Sequence, residues 1–519
     1  MNTDQVKKAA WSGAVSSYSR IVVRIGLGFI TFRMLFQGLD ADEFGFWSLM
    51  WSVFGYGILL DFGFGYAAQR RVAQCLAKRD WEALSHALST IFFFYFAVAG
   101  FIGVVGWAMA DSMMHWFNVP AAKQAEFKPA TVVFFSGMAL GFPLGVFPEV
   151  LRGLQKTDTA NRIGMIGTIA NAALVALALY FNWGLTSVFV IALLCVLGPD
   201  LMAGYAAMKA MPEVRLRLSL FRRSDLLSTG KFSLIAWLNM ISNLLRNKMD
   251  QVVVGGALGL PAVTLYQAGA KAGELFGVVT RPIADSLGPA AAFLYADSRK
   301  DSLREMLVNG LRMTMLVAAP LYFGGAIFMD FLVRVLTGLK VPNADVLMVA
   351  QVLLFWYFHV SYTHMVFKTM YMMCGQEKRM MWHSIAEALM NVVLSISLTL
   401  WLKSIVGVAL GSVLPTLLFG WLVLWPWTAK EAGCGKWELL MKTGVRPVLG
   451  CAPMIVTGVL CRWLLGGGYG RPEWLPCLAG MAITGVTGLV GIWTISLTPS
   501  DKAAVLKRLP ARFRPAAAG

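Results

Sequence analysis

Apolar runs long enough to cross about 30 Å of hydrocarbon at 1.5 Å per residue recur fourteen times along the 519 residues. They fall near 11–36, 44–67, 88–110, 129–151, 163–181, 185–208, 229–256, 262–285, 306–329, 346–372, 381–402, 407–429, 447–465 and 476–497. Short polar segments separate them, so the pattern predicts an all-α polytopic membrane protein with about 14 transmembrane helices. It also predicts an order: an N-terminus at 1–10, an N-lobe of six helices over 11–209, a linker at 210–228, a C-lobe of six over 229–430, a helix pair over 431–497 and a basic tail from 498 to 519.

The two lobes echo each other at a shift of about 220 residues. GLQK (153–156) before Asn171 matches GQEK (375–378) before Asn391, and AKRD (77–80) matches SRKD (298–301). Six helices per copy keep both copies in one orientation, which predicts pseudo-symmetric lobes about an axis along the membrane normal, with a cleft between them.

Composition strengthens the membrane assignment. Of all residues 57% are apolar and only 14% charged, where roughly 25% charged is usual for a soluble domain. That excludes a soluble enzyme, a disordered tail and a secreted disulfide scaffold. The net charge of +17 is spread along the chain, so no nucleic-acid module is indicated. With the N-terminus in the cytoplasm, thirty Lys and Arg fall in inside loops and six outside, which puts both termini on the cytoplasmic side. No outside loop reaches twenty residues, which weighs against a membrane glycosyltransferase or polymerase. The first apolar segment contains Arg20 and Arg24, unlike a cleavable signal peptide, so it is expected to remain in the mature protein. The seven cysteines form no CxxC pair and read as small buried hydrophobes, although Cys461 and Cys477 flank one outside loop where a bridge has room to form.

Nine cations lie inside the spans, and each needs a cavity, a partner or a route to the interface. Arg20 and Arg24, four apart, share one face of the first helix. They either pair with an acid on another helix, such as Asp61 or Glu149, or line a water-filled cationic cavity. Asn239, Asn243, Arg246 and Asp250 make one side of the seventh helix polar. Arg246 then pairs with Asp250 or meets a ligand. Lys271 sits beside Gly269 and Gly273, which would let a bulky headgroup approach. Tyr357, Ser361, His364 and Lys368 share one face of the tenth helix, and His383, Glu387, Asn391 and Ser395 one face of the eleventh. Hydrogen bonding between helices accounts for both stripes, while Glu387 is also a candidate proton or cation site. The five histidines show no triad or metal-binding spacing, and neither a cofactor nor a catalytic residue is indicated.

Residues 44–90, from FGFWSLMWSVFGYGILLDFGFG into a basic loop, resemble the second helix and following loop of polysaccharide-type flippases at Gly45, Trp47, Tyr56, Leu60, Asp61, Gly63 and Arg70. The GLQK-to-Asn171 run is similar too, as is 247–269 with its Asp250 and Tyr266. The superfamily also contains lipid II flippases and multidrug and toxin extrusion antiporters. The resemblance implies a non-enzymatic carrier in the cell's inner membrane that moves a polyprenyl-diphosphate-linked oligosaccharide across it by alternating access. Membrane lipids and other polysaccharide-assembly proteins are its implied partners. Lipid II flippases similarly turn arginines of the first helix to their cavity, which supports a diphosphate site of Arg20, Arg24, Arg246 and Lys271. Asp61, Asp250, Glu387, Asn391 and Lys368 remain as coupling or structural polar residues. An ion-coupled drug antiporter is the alternative, and a glycosyltransferase or polymerase is a more distant one.

Overall fold

The computed structural model describes residues 3–57, 64–78, 80–224, 241–242, 244–245, 248–339, 343–465, 473–499 and 501–503. Every extended element among them is a helix. In chain order these are α1 (Thr3–Gly38), α2 (Ala41–Gly57), α3 (Phe64–Lys78), α4 (Trp81–Trp116), α5 (Ala121–Gly153), α6 (Thr157–Tyr180) and α7 (Gly184–Ala210). There follow α8 (248–258), then α9 (Leu260–Ala296), α10 (Lys300–Ile327) and α11 (Met329–Thr337). The last five are α12 (Ala344–Met372), α13 (Glu377–Leu402), α14 (Ile405–Ala432), α15 (Lys436–Leu464) and α16 (Trp474–Ser496). Ten helices among the described residues are long and apolar enough to cross a membrane. Residues 58–63, inside the expected span at 44–67, lie outside the described residues; α3 runs on from Phe64 into what the sequence placed in a loop. Most of the expected span 229–256 lies outside the described residues.

Polar residues at the helix starts explain where the chain turns. Asp40 and Glu43 open α2 as a capping box, with the Asp40 N–H donating to Glu43 Oε2 at 3.0 Å and the Glu43 N–H to Asp40 Oδ1 at 2.9 Å. Asp80 caps α4 by accepting from the Ala83 N–H at 2.9 Å, and Ser404 caps α14 by accepting from the Val406 N–H at 3.2 Å.

The chain divides into two compact units, residues 1–264 and 265–519. In the first, α3, α4, α5 and α7 enclose a core that includes Phe64, Val72, Leu88, Tyr95, Val150 and Ala207. In the second, α9, α10, α12, α14 and α15 enclose another that includes Leu307, Leu311, Phe367, Met370, Trp425 and Met454. Helix α13 shows what solvent the protein is built for. Its inward face is polar (His383, Glu387, Asn391, Ser395, Thr399), while Leu389, Val393 and Leu400 on the outward side are 57%, 61% and 60% exposed. In water that arrangement would be inside out; in lipid it is the stable one.

The shift of about 220 residues recurs in the backbone. Left-handed turns at Asn118, Gln155 and Asn182 recur at Gly338, Gly375 and Lys403. That register pairs Asn171 with Asn391 and Gln155 with Gly375, so the likeness of GLQK to GQEK, read letter by letter, is two residues out of step. The units differ in local winding: α12, α14, α15 and α16 contain π turns at Ser361–Met365, Gly420–Leu424, Met441–Val445 and Ile492–Ser496, and α4 to α7 contain none.

All seven cysteines are free thiols, so Cys461 and Cys477 form no bridge. Cys477 instead accepts from Arg462 Nη1 at 2.9 Å. Arg462 also pairs with Asp330 of α11, their side chains 1% and 4% exposed. This buried pair fastens the last helix pair to α11 at a position where an unpaired charge would cost several kcal/mol.

Candidate functional site

Each unit has its own polar centre. In the first unit Arg20, half-buried on α1, donates from Nη1 to Asn161 Oδ1 of α6 at 3.3 Å. Its guanidinium lies over Gly164, where a Cβ would stand 3.0 Å from Arg20 Cζ. The charges acting on Arg20 are Arg152, Arg24, Glu149 and Asp200. Glu149 is itself paired with Arg152 one turn on. Arg24 is exposed, with no ion-pair partner among the described residues. The two arginines expected to act together are therefore in different settings: Arg20 is seated against α6, and Arg24 is open. Asp200, beside Pro199 on α7, escaped the sequence reading, although a lone carboxylate inside a span is itself a signal. Asp250 of α8 is buried. Asp61, Asn239, Asn243 and Arg246 lie outside the described residues.

In the second unit Lys271 donates to Glu274 Oε2 at 2.8 Å, and Arg281 pairs with Asp285 at 3.6 Å on the exposed side of α9. The glycines beside Lys271 serve packing: a Cβ at Gly269 would lie 2.7 Å from the Val346 carbonyl oxygen, and one at Gly273 would lie 3.3 Å from the Leu354 nitrogen. They let α9 close on α12 and leave no room there for a headgroup, contrary to the expectation from sequence.

The two polar stripes of α12 and α13 meet, with one correction. The π turn at Ser361–Met365 divides the α12 stripe. At its first residue, Ser361 lies 2.9 Å from Thr280 Oγ1 and 3.2 Å from Tyr322 Oη, on the side of α9 and α10. Within and beyond it, His364 and Lys368 face α13. His364 Nε2 is 3.3 Å from Glu387 Oε1. Lys368 Nζ donates to Glu387 Oε2 at 3.2 Å and to Ser384 Oγ at 3.2 Å. His383 Nδ1 stands 3.7 Å from Glu387 Oε2. Further along α13, Asn391 Nδ2 donates to Ser412 Oγ of α14 at 2.9 Å, and Gly411 closes on Ser395, where a Cβ would meet its Cα at 2.4 Å. Asn391 and Ser395 are thus helix-packing residues, whereas Glu387, 1% exposed, is the hub of a titratable cluster.

Ligand atoms of His364, His383 and Glu387 lie within 4.8 Å of one another, a juxtaposition that spacing along the sequence did not reveal. The charge balance does not favour a metal. Lys368 already neutralises Glu387, so a divalent ion would leave two uncompensated charges in a buried site. Imidazole nitrogens are also poor partners for the hard monovalent ions, which prefer oxygen.

The sequence from residue 39 to 342 matches the model of a family described as "Polysaccharide biosynthesis protein". Among solved structures, the fold is similar to "Lipid II flippase MurJ, inward closed conformation" at 12% identity and a TM-score of 0.70, over 92% of this chain and 97% of that one. It is also similar to an inward-facing multidrug resistance MATE family transporter of the MOP superfamily, at 16% identity and a TM-score of 0.66, over 79% and 98%. A MOP superfamily transporter from Pyrococcus furiosus, described by the reverse polarity of its binding pocket, matches at 16% identity and a TM-score of 0.59, over 82% and 96%. No curated protein matches the sequence.

Proposed function

The chain belongs to the polysaccharide biosynthesis protein family, a family of transporters and not of enzymes, and from that premise we propose that it flips a polyprenyl-diphosphate-linked oligosaccharide across the cytoplasmic membrane by alternating access. The family match carries this reading. Arg24 supports it: an exposed guanidinium on an otherwise apolar helix suits the two negative charges of a diphosphate, which its planar fork can grip. Arg20, held against Asn161, keeps a second positive charge one turn away. Arg246 adds to the cationic set in this reading, whereas Lys271, paired with Glu274 beside glycines that close on α12, does not; the sugars stay in water and the polyprenyl tail in lipid.

The same proposal includes fourteen spans with both termini in the cytoplasm, lobes at 11–209 and 229–430, and an added pair at 431–497.

A drug antiporter of the same fold is the second reading. A cationic drug wants a carboxylate, and the candidates among the described residues are engaged: Glu387 by Lys368, Glu149 by Arg152; Asp61 lies outside them. Asp200 lies in the field of Arg20. The experiment is to replace Arg24 with Ala and with Lys in cells and follow surface polysaccharide. Export should fall about tenfold or more in Arg24→Ala and partly recover in Arg24→Lys. Full export by well-expressed Arg24→Ala protein would sink the diphosphate site, and dye resistance on overexpression with unchanged polysaccharide would favour the antiporter.

A further inference from the structure

The protons of the Glu387 cluster can be counted from its geometry. His359 Nε2 lies 3.1 Å from the Thr416 carbonyl oxygen. A carbonyl only accepts, so that nitrogen carries a hydrogen. Thr363 Oγ1 lies 2.9 Å from the His359 carbonyl oxygen and 2.7 Å from His364 Nδ1, and its one hydrogen serves one of them at a time. When the hydroxyl donates to His364 Nδ1, the neutral ring carries its hydrogen on Nε2, 3.3 Å from Glu387 Oε1 but out of line for a hydrogen bond. When the hydroxyl donates to the carbonyl, His364 donates from Nδ1 instead. A neutral ring then leaves a bare Nε2 lone pair 3.3 Å from a carboxylate oxygen. Two acceptors facing each other repel, and one added proton between them removes the repulsion.

The surroundings admit that single charge. Glu387 and Lys368 cancel each other's charge, and the extra proton adds one positive charge. On α12 the titratable neighbours are His359, His364 and Lys368, and on α13 they are His383 and Glu387. Helix α14 presents Thr416 and Gly420 and no titratable group. Tyr322 of α10 is directed to Ser361 and Tyr362 to Thr443 of α15. The π turns of α12 and α14 meet here, and Gly420 makes room: a Cβ on it would lie 2.6 Å from His359 Nε2 and 2.9 Å from His364 Cε1. Beyond His359 is an apolar cavity of about 280 Å³ lined by Phe355, Phe358, Tyr362 and Trp421. Lys368 is the least buried of the charged group, its side chain 15% exposed.

We propose that His364 and Glu387 share one exchangeable proton, switched by the Thr363 hydroxyl and countered by Lys368, and that loading it drives the conformational step of the second unit during flipping. The proton site stands on the geometry alone; the coupling to flipping rests on the function proposed above.

The test uses the full chain in lipid nanodiscs, with nitrogen-15 in histidine, followed by NMR of the ring nitrogens and infrared absorption of the carboxyl group from about pH 5 to 9. One histidine and one carboxyl should titrate together in the wild type, and both signals should vanish in Glu387→Gln and in His364→Gln. Thr363→Val keeps the shape but removes the rotor, and should move the midpoint by about one pH unit. Spectra unchanged over the whole range in wild type overturn the site. So does a titration abolished by zinc or sodium chloride at constant pH, which would mark a cation site instead. Two variants guard against misfolding, and both should retain the wild-type gel-filtration profile. In cells, export should stop with a protonophore and fall about tenfold or more in His364→Gln. Export indifferent to both, with the titration intact, overturns the coupling and leaves the proton site and the flippase. A titration intact in a protein whose deletion leaves surface polysaccharide unchanged overturns the flippase reading, and the coupling with it.

Discussion

Helices α6 and α13 occupy equivalent places in the two units, bracketed by the paired left-handed turns, yet what they carry is opposite. Where α13 has Glu387, α6 has Gly167. A Cβ at Gly167 would lie 2.5 Å from Pro199 Cγ and 2.6 Å from the Cys195 carbonyl oxygen, so α6 and α7 close directly on each other. At the same level in the second unit, Glu387 is balanced by Lys368 and faced by two imidazoles. One scaffold thus supports a tight apolar joint in one copy and a buried ionic one in the other. The first copy carries its charges elsewhere, at Arg20 and Arg24, toward the part of the molecule proposed to meet the substrate. The comparison suggests a division of labour, with an anion held by the first unit and a proton by the second.

The largest effect that would break this contrast is Glu387→Ala. It leaves the part-buried Lys368 ammonium without its carboxylate and should cost about 1–3 kcal/mol, read as a lowered unfolding temperature in detergent. Glu387→Gln combined with Lys368→Met should recover most of that stability without recovering export. An unaffected single variant would mean the pair is not buried as described. Next comes Gly167→Ala, where neither obstacle is a flexible side chain. A loss of about 1–3 kcal/mol is expected, and free tolerance of alanine would show that the α6–α7 joint is looser than its glycine implies. Arg20→Ala should cost about 1 kcal/mol. Its double-mutant cycle with Asn161→Ala should give a coupling of similar size, separating the seated arginine from Arg24, whose removal should leave stability unchanged.

The smallest effect lies at the α1–α2 turn. Partial burial alone would raise the Asp40 pKa, but the hydrogen bond and charge of Lys123 outweigh it and hold the carboxyl below its ordinary value. The stabilisation is therefore present above the unfolded-state pKa of Asp40 and lost as pH falls through the lower folded-state one. Half-exposed as Asp40 is, the pair should contribute only a few tenths of a kcal/mol. Acid unfolding curves of wild type and Lys123→Met should differ by that amount at neutral pH and converge once the pH has fallen below the lowered folded-state pKa.

Much of this was legible in the sequence because the signals are periodic. The apolar runs gave the helices, and a spacing of four put His383, Glu387, Asn391 and Ser395 on one face of α13. The shift of about 220 residues was legible too, although matching letters at GLQK and GQEK misplaced its register by two. What failed had physical reasons. A π turn leaves no mark in composition, so Tyr357, Ser361, His364 and Lys368 looked like one stripe when the turn sends them two ways. Glycine beside a lysine has the same appearance whether it admits a ligand or a neighbouring helix, and at Gly269 and Gly273 it admits the helix. Asp330 and Arg462 are 132 residues apart, and nothing local in either segment announces the other.

The repeated left-handed turns make each unit a reference sequence for the other. At two of the three turns one copy has found glycine, at 338 and 375, while the other retains Asn118 and Gln155. A left-handed backbone costs a residue with a Cβ about 1 kcal/mol more than it costs glycine, less what glycine loses in the unfolded chain. An engineer seeking a sturdier protein can therefore copy solutions from one half of the chain to the other, beginning with Gln155→Gly. Two halves of one sequence whose turns recur at a fixed shift make a very small alignment, and it can be consulted as one.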